Sequence, residues 1–128
     1  MTESESNRLS DYLEHITQAI ERILQYVEDM DEPAFVIDQR TQDAVIRNFE
    51  IIGEACNNLA RQFPAYADGH PEIPWRFAYE MRNVLAHGYF NVDLEIVWRT
   101  IHRDLPPLHE RARSLLAAEQ LRGPASTE

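Results

Sequence analysis

The sequence has no lysine, one cysteine, four glycines and no long uninterrupted apolar run, and each shortage excludes a class of protein. A single thiol, Cys56, cannot form an intramolecular disulfide, and without partners it cannot build a zinc site. It lies in an apolar-periodic stretch, so it reads as a buried, inert thiol in a chain suited to a reducing compartment. No apolar run approaches the roughly 20 residues that a membrane-spanning helix needs, and the opening residues Met-Thr-Glu-Ser-Glu-Ser-Asn are acidic and polar. The expectation is a soluble, cytoplasmic protein without a signal peptide or membrane partner. There is no glycine-rich phosphate loop and no serine in a nucleophile elbow. His15, His70, His102 and His109 share no metal-ligand spacing with one another or with Cys56, so neither a metal nor a cofactor is expected.

What remains is a chain of 128 residues, 44% of them apolar, which is one domain's length and enough for one core. The domain is expected to span 1–128, with a core over about 7–119 and a frayed tail over 120–128. The long gaps between helix breakers favour helices, and no period-two alternation, repeat or low-complexity tract is present. Leu9, Tyr12, Leu13, Ile16, Ile20, Ile23, Leu24 and Val27 recur at three- and four-residue steps, which predicts a helix over about 7–30 capped by Ser6 or Asn7. Val45, Ile46, Phe49, Ile52, Cys56, Leu59, Ala60 and Phe63 predict a second helix over about 38–62. Gly53 interrupts that stripe at a cost of about 1 kcal/mol relative to alanine, so a tight helix crossing is expected there. Three prolines and a glycine over 64–74 predict an irregular loop.

A third helix is expected from 74 or 75 to about 87, with Phe77, Met81, Val84 and Leu85 facing inward and Gly88 closing it. Asp93 can cap a fourth, with Leu94, Val97, Trp98 and Ile101 as its apolar stripe. Asp104 and Pro106 suggest a kink or a fresh start leading to Leu108, Ala112, Leu115 and Leu116. The fold class is therefore all-α, an antiparallel bundle of four or five helices. Two helices of more than 20 residues in so short a chain favour a homodimer.

The formal net charge is −10, and all twelve basic residues are arginine. Such a balance repels phosphate, but it is uneven: residues 1–40 hold ten acids against three arginines, whereas residues 90–128 hold six against five. Arginine's planar fork grips phosphate in a bidentate manner, so a few well-placed side chains suffice locally. An arginine-rich genome composition accounts for the missing lysine equally well.

Arg82-Asn83-Val84-Leu85-Ala86-His87-Gly88-Tyr89 places a cation, an amide, an imidazole and a phenol at the end of the third helix and just beyond it. Asn83 and His87 are four apart and share a helix face. Arg82 and His87 are five apart, about 140° around an ideal helix, so their meeting calls on arginine's length and on unwinding before Gly88. RNA cleavage asks for a base for the 2′-hydroxyl, an acid for the leaving oxygen and a cation for the phosphorane. His87 can act as acid or base, Arg82 can clamp phosphate, and Asn83 can orient either. An ordinary helix end, with a dipole-stabilised histidine, a solvated arginine and a half-buried tyrosine, has the same spacing. Arg47 and Glu54, seven apart on one face of the second helix, are secondary candidates: Glu54 can pair with Arg82 or Arg47 to hold the site, or form an ordinary ion pair. Arg76 reads as a residue facing water.

The stretch 82–89 resembles the signature of the HEPN ribonucleases, and four residues between arginine and histidine followed by any residue and tyrosine resembles their HepT branch. Residues 47–55 resemble that branch's block on the second helix, and 73–76 and 92–98 resemble its flanks, so the likeness covers about 8–117. It implies a metal-independent endoribonuclease, the toxin of a toxin–antitoxin pair, with Arg82 and His87 catalytic and Asn83 supporting. It further implies a homodimer, RNA (typically tRNA) as substrate, and an MNT-type nucleotidyltransferase antitoxin as partner. That antitoxin would add AMP to the motif tyrosine, here Tyr89, setting negative charge beside Arg82 and His87. The alternative is a non-catalytic helical module that only binds the nucleotidyltransferase.

Overall fold

A computed structural model describes residues 1–87 and 92–122, the side chains of residues 82–87 excepted. Seven helices occupy the described residues: α1 (Glu3–Tyr26), α2 (Glu32–Ile37), α3 (Gln39–Gln62), α4 (Pro64–Gly69), α5 (Trp75–His87), α6 (Leu94–Arg103) and α7 (Leu105–Arg122). The all-α bundle read from the periodicity is the observed architecture.

The apolar stripes decide how the helices pack. Leu9, Leu13, Ile16, Ile20 and Ile23 bury one face of α1, and Val45, Phe49, Ile52, Cys56 and Leu59 bury one face of α3. Each such side chain contributes about 1.5–3 kcal/mol of burial. α3 is the central element, packed most extensively on α5 and on α1, while α7 lies along the other side of α1. Polar ties fix the directions. Gln62 Nε2 donates to Tyr12 Oη at 2.8 Å and Arg22 Nη1 donates to Asn48 Oδ1 at 3.4 Å, so α1 and α3 run antiparallel. His109 Nε2 lies 2.8 Å from Glu21 Oε2 on the α1–α7 seam. Near its end α7 buries an acid: Glu119 is 1% exposed, with Oε2 3.0 Å from Arg122 Nη2.

Several boundaries differ from the sequence reading, each for a local reason. The first helix starts earlier than Ser6 or Asn7, because Thr2 and Glu5 form a reciprocal capping box: Glu5 N donates to Thr2 Oγ1 at 3.0 Å and Thr2 N to Glu5 Oε1 at 2.9 Å. It also ends earlier, at Tyr26. The acidic break that follows holds the short helix α2, whose cap is Asp31, accepting from Ala34 N at 3.0 Å. Pro33 sits in its first turn, where a missing N–H costs no helical bond. Gln42, buried on α3, donates through Nε2 to the carbonyls of Phe35 and Val36, both at 2.9 Å, so α2's terminal acceptors are satisfied from α3.

Residues 64–69, expected as loop, form the helix α4 for the same reason as α2: Pro64 is its first residue. The proline that stops α3 starts the next turn. α6 and α7 are separated by Asp104 alone, the expected break; it is the C-cap of α6, and its carbonyl accepts from Leu108 N at 3.2 Å. α7 is helical through Arg122, and residues 123–128 lie outside the described residues, as does Gly88. Among the described residues, no helix is long and apolar enough to cross a membrane.

Candidate functional site

The helix that carries Arg82, Asn83 and His87 is positioned by its first turn. Trp75 is buried, and its Nε1–H donates to the carbonyls of Ala67 and His70, each at 3.2 Å, which ties the start of α5 to α4 and the turn after it. Ile73 and Ala78 are buried beside it. The turn is further held by His70, whose ring lies 4.3 Å from that of Tyr66 and whose Nδ1 is 3.2 Å from Glu72 Oε2. Of the inward residues expected on α5, Met81 packs against the core and Phe77 does not. Trp75 and Ala78 carry the burial, Met81 is half-buried, and Phe77 is 42% exposed. Phe77 sits one position from a buried residue on a helix that covers only part of its circumference. The side chains of Val84 and Leu85 lie outside the described residues.

α5 packs chiefly on α3, on which Gly53 is buried. α5 continues as regular α-helix through His87. The unwinding invoked to bring Arg82 and His87 together therefore does not occur within the helix. Their backbone positions are about 7.5 Å apart along the axis and about 140° around it. The side chains of Arg82, Asn83 and His87 lie outside the described residues, as does the whole of Tyr89.

The chain re-enters at Val92, and Asp93 caps α6 by accepting from Glu95 N at 3.0 Å and Ile96 N at 3.3 Å. Val92 and Leu94 form one wall of a groove of about 380 Å³ whose other wall is the first half of α3, including Gln42, Ile46, Arg47 and Glu50. Arg47 thus shares a groove with Val92 and Leu94, on the segment that follows the motif. Its carboxylate partner is not Glu54: Arg47 Nη1 lies 3.7 Å from Glu50 Oε1, one turn on, and Glu54 is exposed. Three residues along a helix bring two long side chains together more readily than seven do. Arg76 faces water at 91% exposure, 3.4 Å from Glu80.

Burial raises the pKa of two residues outside the motif. Burial pushes the Cys56 thiol up to about 12, which makes it inert. Burial and then the Glu119 carboxylate push the Tyr66 phenol up to about 12. Among the described residues, no three His, Cys, Asp or Glu side chains are grouped so as to hold a metal ion.

A second, larger cleft of about 440 Å³ opens between the first half of α5 and the α6–α7 corner. Its wall includes Phe49, Phe77 and Met81, with Arg103 and Arg111 also lining it. No spacing in the sequence announces it, because its residues come from four helices.

The family model described as "Ribonuclease HepT-like" matches residues 16–115 of the chain. A probable ribonuclease HepT of Thermococcus cleftensis is 44% identical over 105 residues, covering 82% of this chain and 93% of that protein. A gamma-glutamylcyclotransferase and putative RNase of Methanocaldococcus jannaschii is 41% identical over 105 residues, and the match spans 46% of its length. A putative RNase of Caldanaerobacter subterraneus subsp. tengcongensis is 37% identical over 109 residues, covering 85% of this chain and 95% of that protein. No solved structure matches significantly.

Proposed function

The chain belongs to the HepT-like ribonuclease family, and from that premise we propose that it is a metal-independent endoribonuclease acting through Arg82 and His87. The observation that supports the reading is that Arg82, Asn83 and His87 all lie on the last turns of α5, inside the matched region. In this scheme a base, for which His87 is the candidate, takes the proton of a ribose 2′-hydroxyl. The freed oxygen attacks the adjacent phosphorus, and the bond to the 5′-oxygen breaks as that oxygen takes a proton from water. Arg82 neutralises the charge that collects on the phosphorane oxygens, and Asn83 orients the imidazole or the phosphate.

The active form in this proposal is a homodimer. With α5 regular to His87, Arg82 of one copy and His87 of the other can flank one phosphate, which relieves the angular separation within a single helix. A dimer also doubles the arginines available against a chain charge of −10. The biological setting is a cytoplasmic toxin with RNA, typified by tRNA, as target and an MNT-type nucleotidyltransferase as antitoxin. Transfer of AMP to Tyr89 would add negative phosphate within two residues of His87 and repel the substrate by charge and bulk.

The test is cleavage of an RNA pool in EDTA by the wild type, Arg82→Ala and His87→Ala. Each substitution is expected to lower the rate by about 10²–10⁴-fold, the usual contribution of a positioned acid, base or charge stabiliser. Full activity in both variants would remove the assigned site. A wild type that binds the nucleotidyltransferase but cuts no RNA would leave a binding module instead.

A further inference from the structure

The cleft between α5 and the α6–α7 corner combines an apolar wall with two arginines. Phe49 and Met81 line its apolar part, and the Phe77 ring is 42% exposed. Arg103 at the end of α6 and Arg111 on α7 both line it and are both exposed. Their engagements are partial. Arg103 Nε donates to Asp104 Oδ1 at 3.5 Å, and Arg111 Nη1 donates to the carbonyl of Glu72 at 3.3 Å, so each guanidinium keeps further N–H groups. Among the described lining residues, two arginines face one carboxylate, Asp104, on a chain of net charge −10.

We propose that this cleft holds one nucleotide of a single-stranded RNA, with its base stacked on Phe77 and its phosphate gripped by Arg103 and Arg111. An accessible aromatic face beside arginine forks is the chemistry that holds unpaired bases without reading sequence. The volume, about 440 Å³, lies in the range of small-ligand sites and suits one nucleotide. Position adds to the argument: Met81 lines the cleft and Arg82 follows it directly, so a strand lying here passes along α5 to the motif. The proposal rests on the ribonuclease reading and adds to it a site that grips the strand away from the bond being cut.

The test reads binding, not cleavage. In a His87→Ala background, a fluorescein-labelled single-stranded RNA octamer is titrated against the parent, Phe77→Ala and the double variant Arg103→Gln with Arg111→Gln, and anisotropy is recorded at several salt concentrations. Phe77→Ala is expected to weaken binding by about tenfold, as loss of one stacked base does. The double variant is expected to weaken it and to flatten the dependence of log K on log salt by about 0.7 for one lost phosphate contact. Thermal melts confirm that the exposed substitutions leave the fold intact. Unchanged binding and salt slope in both variants would overturn the proposal. So would unchanged binding together with an altered oligomeric state in sedimentation, which would make the cleft a contact between copies. If the parent binds through these residues while wild-type protein cuts nothing, the nuclease reading falls and the cleft stands. If wild type cuts and the variants bind as the parent does, the cleft falls and the nuclease reading stands.

Discussion

The indole Nε1–H of Trp75 reaches back to the main-chain carbonyl of Ala67, 3.2 Å away, and through that contact the start of α5 is set against α4. The same N–H also meets the carbonyl of His70 at 3.2 Å. The first residue of the motif helix is thus its anchor, and everything from Arg82 to His87 is placed by a helix fixed at its opposite end.

Trp75→Phe keeps an aromatic ring but removes the donor and some volume. A loss of about 1–2 kcal/mol is expected, since both carbonyls keep their main-chain partners while the side-chain bond and part of the packing disappear. Urea unfolding followed by circular dichroism measures it. An unchanged midpoint would show that α5 is held by its packing on α3 alone.

Asp38 caps α3, accepting from Thr41 N at 3.1 Å and Thr41 Oγ1 at 2.9 Å. The Thr41 amide, then its hydroxyl, hold the carboxyl below its ordinary value. The folded state therefore prefers the charged form. Its contribution is complete above the ordinary carboxylate pKa and is lost as pH falls through the lowered folded value. Asp38→Asn keeps an acceptor for the cap and cannot titrate. Its urea midpoint is expected to stay near wild type at neutral pH and to fall less between pH 5 and the acid limit of the transition. An acid dependence identical to wild type would place the linkage elsewhere.

Cys56 is fully buried, and burial alone pushes its thiol up to about 12. A chromogenic disulfide reagent at pH 8 is expected to find no reactive thiol in the folded protein and one equivalent after denaturation. Rapid labelling in native buffer would mean that α3 opens locally far more often than a core helix should.

Tyr89→Phe separates the two halves of the proposed function. The phenol is the group assigned to accept AMP, and it has no assigned part in the cleavage step. The variant is expected to cut RNA at close to the wild-type rate in EDTA, while incubation with the nucleotidyltransferase and ATP neither adds the mass of AMP nor slows it. Inhibition with the same mass increase would move the modification to another residue.

The helical architecture was legible because period and burial coincide: the α1 and α3 stripes named from spacing hold the buried leucines, isoleucines and valines. The motif was equally legible, since Arg82, Asn83 and His87 are close in sequence and share α5. The short helices α2 and α4 were not, because proline suits a first helical turn and forbids an interior one, and composition does not say which position it holds. Which carboxylate meets Arg47 was open in the sequence, as Glu50 and Glu54 both lie on reachable faces and only side-chain reach selects the nearer.

By itself the sequence determined the long helices and their buried faces, the inert thiol and the family-specific motif, because each is encoded by residues within a few turns of one another. Only the tertiary structure decided that Trp75 locks α5 to the carbonyls of Ala67 and His70, that Phe77 faces outward, and that Arg103 and Arg111 share a cleft with it. Those relationships depend on how helices far apart in the chain cross, and that geometry is set by the summed packing of the whole core, to which no local pattern is a guide.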